Sequence, residues 1–380
     1  MPGGYGLSLS LHRAITEIPA HDWDLCAGND NPFLSHGFLS AIEDSGSTGR
    51  AAGWIPWHVA LRDRAGTIQA VVPLYEKTHS YGEYVFDHAW AQAFARVGGH
   101  YYPKLQVAVP FTPVPGPRLL RRPGVPLGPL AAGLIEVCQQ FQHSSLHITF
   151  CTAAEAEELT RAGFLPRLGV QFHWHNQGWR NFDEFLAALN SRKRKAIRHE
   201  RAAAHASGLR FVTLRGDDIK PAHWDAFYRF YLSTIDRKWG APYLTHEFFP
   251  LISKYLGDRV VLMMASDGET PVAGALNLMG SDALYGRNWG ALGEYPFLHF
   301  ELCYYQAIDF ALEHGLSRIE AGAQGEHKIQ RGYLPVETHS THWFAHAGLS
   351  SAVADYLAHE RPAIRAEIAE LSRLSPFRAA

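Results

Sequence analysis

The chain has 380 residues, of which 47% are hydrophobic and 19% charged. This length and composition are typical of a globular protein with two domains of ordinary size, and they exclude an intrinsically disordered chain. The formal net charge is −2, so no global excess of charge favours nucleic acid or anionic lipid, and any such contact needs a local patch.

The sequence predicts a soluble, cytoplasmic protein. The N-terminus has no basic segment followed by a long apolar run, and no apolar run reaches the roughly 18 residues of a membrane span. The cysteines form no Cys-x-x-Cys pair, so they indicate neither a zinc ribbon nor a disulfide framework. They are Cys26, Cys138, Cys151 and Cys303.

The first half predicts a strand, a helix and then a β-hairpin, over residues 7–15, 34–42 and 58–75. Seven prolines between residues 110 and 129 predict a stiff extended loop, because proline fits neither a helix interior nor a central strand. This loop is either the wall of a pocket or a connector. A helix over 133–142, a buried strand over 146–151 and a short helix ending near Gly163 follow.

The second half repeats this order. It predicts a hairpin over 260–278, a strand over 283–289, a helix over 298–314 that ends at Gly315, and a strand over 317–321. Hairpin, strand, helix and strand suit a mixed sheet with helices packed on it, so the predicted class is α/β with two similar halves. We expect an N-terminal domain over 1–170, a connecting strand and basic helix over 171–210, and a C-terminal domain with a helical tail over 211–380.

A basic helix joins the halves. Asn181 is a plausible N-cap for an amphipathic helix that then continues into six cations within ten residues. Such a cluster neutralises phosphates, either of a tRNA or of the CoA nucleotide, and its size favours the larger polyanion. A solvated helix face is the alternative. The predicted polyanion-binding residues are Arg192, Lys193, Arg194, Lys195 and Arg198, with Arg201 the sixth cation.

Several long strings resemble the FemAB-like peptidoglycan biosynthesis/recognition family of N-acyltransferases. They are KLQVAVPFTPVPGPRLL, SRKRKAIRHER, RKWGAPYLT, YGRNWG, PFLHFELCYYQAIDFALEHGL and EAGAQGEHKIQRGYLP. The resemblance implies tandem GNAT domains that transfer an acyl or aminoacyl group to an amine. It also implies acyl-CoA or aminoacyl-tRNA as co-substrate, no tightly bound cofactor, and a small-molecule or peptide amine as acceptor, with tRNA a possible partner.

In GNAT folds the pattern Arg/Gln-x-x-Gly-x-Gly/Ala holds the pyrophosphate of the donor at a helix N-terminus. Arg287-Asn-Trp-Gly290-Ala-Leu292 comes close to this pattern but ends in leucine, and a packing role for Arg287 is the alternative. The predicted donor-binding residues are Tyr285, Arg287, Trp289, Gly290, His299, Gln324, Gly325 and Lys328.

Four residues are candidates for proton transfer. Glu320 stands on an apolar strand before a glycine-rich loop, where burial would suit a general base, or it pairs with Lys328 or Arg331. His327 is a second base candidate because imidazole titrates near neutral pH. Glu301 either shares the pocket of Glu320 or only stabilises a helix dipole. Tyr333 either protonates the leaving group or is packed.

Other functions find less support. His173 and His175 share a strand face, and His339 and His342 are three residues apart, but neither pair belongs to a His-Glu-x-x-His motif, so we expect no metal. The absence of Gly-x-Ser-x-Gly argues against a serine hydrolase. The alternative to a transferase is a catalytically silent GNAT-like module that binds cell-wall peptide or RNA. Acids beside tight glycine turns favour the enzyme.

Overall fold

The computed structural model describes residues 6–237, 241–322 and 325–378. Its strands are β1 (Ser8–His12), β2 (Trp54–Pro56), β3 (His58–Arg62), β4 (Ile68–Val72), β5 (Leu74–Lys77), β6 (Lys104–Val107), β7 (Leu120–Arg121), β8 (Ser145–Cys151), β9 (Leu165–His175), β10 (Arg210–Arg215), β11 (Val260–Asp267), β12 (Thr270–Met279), β13 (Ala283–Ala291), β14 (Arg318–Glu320) and β15 (Leu334–Phe344).

The helices are α1 (Ala20–Ala27), α2 (His36–Asp44), α3 (His88–Arg96), α4 (Leu127–Gln140), α5 (Ala153–Arg161), α6 (Phe182–Ala188), α7 (Ser191–Ala206), α8 (Pro221–Arg237), α9 (Phe248–Leu256), α10 (Leu298–Phe300), α11 (Gln306–Glu313) and α12 (Ala347–Ser372). A π-helical turn, Glu301–Tyr305, joins α10 to α11, and Glu326–Arg331 form a 3-10 helix. None of the helices described is both long enough and apolar enough to cross a membrane.

The chain forms two compact units, one of Met1–Val170 and Glu337–Ala366, the other of Gln171–Val336 and Glu367–Ala380. In the first, β1, β3, β4 and β7 form an antiparallel sheet, and β5, β6, β8 and β15 are hydrogen-bonded in that order. The parallel neighbours β6 and β8 are joined through α4, which covers them with an apolar face.

The proline-rich segment is less uniform than predicted. Its first part is extended loop, but Leu120–Arg121 pair with β4 at a sheet edge, and α4 already begins at Leu127. Pro129 therefore lies in the first turn of a helix, where the missing N–H group costs nothing because those N–H groups have no helical acceptor.

In the second unit the strands follow the order β10, β11, β12, β13, β14 and β9. All neighbours are antiparallel except β13 and β14, which are parallel and joined through α10 and α11. Each unit thus holds a strand–helix–strand crossover between parallel neighbours beside antiparallel strands. The predicted α/β class, with mixed sheets in two GNAT-like halves, is confirmed.

The predicted single basic helix is wrong in one respect. Leu189 leaves the helical conformation after α6, and the side chain of Asn190 accepts a hydrogen bond from the backbone N–H of Lys193 to cap a new helix. The amphipathic segment and the basic segment are therefore separate helices, α6 and α7, because Asn190 is a stronger N-cap than a helix-interior residue.

Candidate active site

Strands β13 and β14 pair over only three residues and then separate. Ala283 to Tyr285 pair with Arg318 to Glu320, where β14 ends, whereas β13 continues to Ala291. A register shift makes Arg287 a bulge, since Asn277 pairs with Gly286 and Leu276 with Asn288. Bulges bend a strand and re-aim its side chains. The β13 edge after Tyr285 is therefore left uncovered by β14.

A cavity of about 90 Å³ opens at this separation, and a second cavity of about 470 Å³ adjoins it. Trp289 and His299 line both cavities, and Arg287 lines the smaller one. Three predicted donor-binding residues therefore meet here. The remaining lining of the smaller cavity is Ala275, Leu276, Asn277, Gly286, Asn288, Cys303, Tyr304 and Ala321.

The π-helical turn shapes the side of this site that faces the helix. Such turns are rare in proteins overall, and many of those that occur lie at functional sites. The Tyr304 hydroxyl lies 2.9 Å from His327 Nε2, within a hydrogen bond, and the ring of His299 lies 5.4 Å from that of Tyr304 and 5.1 Å from that of Trp289. The cavity wall thus connects by ring contacts to the exposed imidazole of His327.

His327 has the properties of a neutral proton acceptor. Partial burial, together with the charges of Lys328 and Arg331, lowers its pKa below the usual 6.5. Gly325 lets this ring lie close to the backbone, because a Cβ at Gly325 would stand 2.6 Å from the ring and the residue has a φ of +118°. Gln324, predicted to bind the donor, lies outside the described residues.

Lys328 and Tyr333 lie behind the cavity wall. Lys328 is buried and donates a hydrogen bond to the Gly322 carbonyl at 2.9 Å, and burial lowers its pKa to about 8. Tyr333 is fully buried, and its ring lies 5.4 Å from that of Tyr304. Burial raises the pKa of Tyr333 well above its usual value. Both residues are therefore placed to support Tyr304 and the loop after β14.

Glu320 forms an ion pair, but with a different partner from those considered above. Arg318 Nε donates to Glu320 Oε1 at 3.0 Å, and the same guanidinium donates to the hydroxyl of Tyr285 at 3.3 Å. Arg331 pairs instead with Glu200, at 2.9 Å. The ion pair with the partly buried Arg318 occupies a carboxylate oxygen that a general base would use, which argues against Glu320 as the base. Burial raises the pKa of Tyr285 to about 12.

The expectation that Glu301 shares the pocket of Glu320 is wrong, and so is the alternative that it only stabilises a helix dipole. Glu301 is fully buried and pairs with Arg201 at 3.0 Å and His205 at 3.2 Å. It lines a different cavity, of about 440 Å³, together with Asp309, which Arg201 also contacts. A buried carboxylate needs such partners, since an isolated buried charge is costly.

The expectation that Gly290 binds the donor is also wrong. Gly290 lies inside β13, where a Cβ would stand 2.0 Å from the backbone oxygen of Phe230 on α8. It pairs with Gly274, whose Cβ would stand 2.9 Å from the Phe227 ring. The two glycines let α8 pack closely on the sheet. Residues 287–292 therefore form no phosphate-binding turn at a helix N-terminus.

The basic helix α7 buries one face and exposes its cations. Ile197 and Ala204 are buried, and Arg201 is drawn to Glu301. The five predicted polyanion-binding residues make no ion pair within the part of the chain that the structure describes, and three of them are exposed: Arg192, Lys195 and Arg198. Cations in the first turn oppose the helix dipole, so the sequence places positive charge where it is locally unfavourable.

The histidine pairs do not assemble a metal site. Among the described residues no three His, Cys, Asp or Glu side chains are placed to hold a metal ion. The ring centroids of His173 and His175 lie 6.2 Å apart, and His173 lies beside Glu320, at 3.9 Å. His342 is buried and bonds to His147, Nδ1 to Nδ1, at 2.7 Å.

Comparison with known proteins places these features in context. The model of the FemAB-like family, described as peptidoglycan biosynthesis/recognition, matches residues 14–379. No curated protein sequence matches the chain. The crystal structure of FemX is similar, with a TM-score of 0.56 and 12% identity over 91% of this chain and 100% of that one.

Two further structures share the fold. The C-terminal domain of a putative lysylphosphatidylglycerol synthetase from Agrobacterium fabrum has a TM-score of 0.56 and 9% identity, over 90% of this chain and 95% of that one. L-PGS from Bacillus licheniformis has a TM-score of 0.51 and 9% identity, over 93% and 99%. At such identities the similarity concerns the fold alone.

Proposed function

The chain belongs to the FemAB-like family of acyl- and aminoacyl-transferring enzymes, and we propose that it transfers an aminoacyl group from aminoacyl-tRNA to a substrate amine where β13 and β14 separate. The observation that carries this proposal is the uncovered β13 edge beside the cavity of Arg287, Trp289 and His299. An acyl group lying along that edge would meet backbone N–H groups, which are the donors that a tetrahedral oxyanion requires.

The reaction proceeds by direct attack. The amine nitrogen attacks the ester carbonyl carbon, an amide bond forms, and the ester bond to the ribose breaks. The attacking amine loses a proton to His327, and the imidazolium formed there gives a proton to the departing ribose oxygen. Holding both substrates together supplies much of the acceleration, so no covalent enzyme intermediate is needed. Neutral His327, hydrogen-bonded to Tyr304, is the proton acceptor.

Two features favour tRNA over CoA as the carrier of the acyl group. Residues 287–292 lie in and just after a strand whose Gly290 is covered by Phe230, so they do not cradle a pyrophosphate. Helix α7 presents Arg192, Lys195 and Arg198 to solvent, which suits a large polyanion. A tRNA donor also agrees with a cytoplasmic location.

The acceptor that we propose is the amine of a peptidoglycan-precursor peptide, following the description of the family. The donor is tested by incubating the protein with charged tRNA or with acetyl-CoA, followed by filter binding and mass spectrometry of the retained ligand. We expect retention of charged tRNA that weakens with salt. Retention of acetyl-CoA and not of tRNA would overturn the assignment of the donor.

A further inference from the structure

The loop between β5 and α3 in the first unit presents aromatic side chains to solvent. Tyr81 is 64% exposed and Phe86 is 62% exposed. Their rings surround that of His88, at 6.0 Å for Tyr81 and 6.5 Å for Phe86, and the latter pair is stacked. We call residues 79–88 the aromatic loop. Large aromatic groups exposed to this degree and gathered in one loop mark an interaction surface.

Buried and partly buried cationic side chains hold the aromatic loop in place. Lys77 Nζ donates to the Tyr81 carbonyl at 3.1 Å, and Arg167 donates to the Phe86 carbonyl at 2.7 Å. Lys104 donates to Ser80 Oγ at 2.9 Å. The exposed rings are therefore carried on an ordered backbone, so binding through them requires little further loss of conformational entropy.

The acidic side chains within the segment 77–100 are buried. Between residues 77 and 100 the acidic residues are Glu83 and Asp87, and both are buried against Lys104, with Glu83 at 2.7 Å. Arg96 and His88 are exposed. The exposed groups of this segment therefore include aromatic rings and the Arg96 guanidinium, but no carboxylate.

We propose that the aromatic loop docks the protein onto a phospholipid bilayer surface. Aromatic rings favour the boundary between headgroups and acyl chains, and the exposed Arg96 at the end of α3 would attract a lipid phosphate. The absence of an exposed carboxylate on this segment removes the repulsion that an anionic membrane would otherwise impose. A surface that stacks on sugar rings would need the same aromatic groups, but it would not need this arrangement of charges.

The test is co-sedimentation of the full chain with vesicles of phosphatidylcholine alone and of equal parts of phosphatidylcholine and phosphatidylglycerol. We expect binding to both, stronger with phosphatidylglycerol. The double variant Tyr81→Ser/Phe86→Ser is expected to lose about fivefold or more of the vesicle affinity, and Arg96→Glu to reduce the preference for phosphatidylglycerol. The matched control is Leu25→Ser/Tyr255→Ser, which removes exposed apolar groups elsewhere.

Absence of binding by the unmodified chain, or equal binding by the loop variant, would overturn the proposal. Loop-dependent binding to peptidoglycan fragments in place of vesicles would also overturn it, in favour of sugar stacking. Transfer to a soluble amine is expected to be unchanged in the loop variant, so the result does not depend on the proposed function.

Discussion

His327 combines a lowered pKa with a hydrogen bond to a tyrosine at the edge of the cavity. Glu320, the stronger candidate from sequence, is bound by Arg318. The acid was visible in the sequence because a carboxylate on an apolar strand is unusual. Its partner Arg318 is also predictable from the sequence, since residues i and i+2 of a strand share a face. That rule favours Arg318 over Lys328 and Arg331. Tyr304 was not among the predicted site residues, and it lies in the π-helical turn.

We predict that the rate of transfer depends on neutral His327. Because its pKa lies below 6.5, kcat/KM should be level above that pH and fall as the pH is lowered through the pKa. His327→Gln should reduce kcat by about two to four orders of magnitude and abolish this acid limb. The measurement is kcat/KM against pH for both proteins. An unchanged acid limb in the variant would exclude His327 as the base.

Glu320→Gln should keep kcat within a few fold and lower the melting temperature, because it breaks a partly buried ion pair with Arg318. The control is Glu184→Gln, which removes an exposed ion pair with Arg180 and should change the melting temperature little. Thermal denaturation and steady-state kinetics on the same preparations decide between the roles. A Glu320→Gln protein that folds but has little turnover would show that Glu320 takes part in catalysis.

At the scale of elements, hydrophobic periodicity predicted the hairpins and the crossover helix well, because each pattern is local. Contacts between elements were not predictable in this way. The pattern around Gly290 only partly resembles a phosphate-binding turn. The glycine is needed because α8 crosses the strand there, and no local signal indicates a distant helix. The break at Leu189 was missed although Asn190 is a good N-cap.

We predict that Gly290→Ala destabilises the second unit by about 1–3 kcal/mol, since the new methyl group would overlap the Phe230 backbone. Gly128→Ala in α4 is the control, because nothing lies within 4 Å of its Cβ position. That change should stabilise the helix by about 0.5–1 kcal/mol. Urea denaturation of both variants measures the two free energies of unfolding. Equal stabilities would show that α8 does not pack as described.

The exposed face of α7 should carry the salt dependence of tRNA binding. Replacing Arg192, Lys195 and Arg198 with glutamine should reduce the slope of log K against log salt by about 2–3, while α7 remains helical. The control replaces three exposed arginines elsewhere, Arg50, Arg64 and Arg161, at equal change in net charge. Filter binding at several salt concentrations gives both slopes. Identical slopes in the two triple variants would show that the exposed face of α7 is only solvated and does not bind tRNA.

At the scale of the molecule, the repeated element order was sufficient to predict two α/β halves, because each half needs its own mixed sheet to bury its helices. The return of residues 337–366 to the first unit was not predictable, since strand partners distant in sequence leave no local pattern. The division into domains over 1–170 and 211–380, with a connecting strand and basic helix over 171–210, stays a prediction.

Acid should destabilise the first unit through His147 and His342. Burial is the main cause that lowers the pKa of His147 to about 3 and that of His342 well below 6.5, so the folded state binds fewer protons than the unfolded state. The contribution of these histidines to the free energy of unfolding is therefore fully present above pH 6.5. It is lost as the pH falls below 6.5, by up to about 1.4 kcal/mol per pH unit for each histidine. Urea denaturation between pH 7 and 4 should show a shallower decline for His342→Phe than for the control His21→Gln. Parallel curves would contradict this origin.

The central claim is tested most directly by transfer of an amino acid from a pool of charged tRNA to hydroxylamine, a small amine that replaces the unknown acceptor. Mass spectrometry of the hydroxamate, corrected for the amount that hydroxylamine forms with each donor when no protein is present, is compared for the unmodified protein, His327→Gln and Glu320→Gln, with acetyl-CoA as the competing donor. The account predicts aminoacyl hydroxamate from tRNA with the unmodified protein and with Glu320→Gln, and about a hundredfold less or lower with His327→Gln. Acetyl hydroxamate alone, or full activity of His327→Gln, would contradict it.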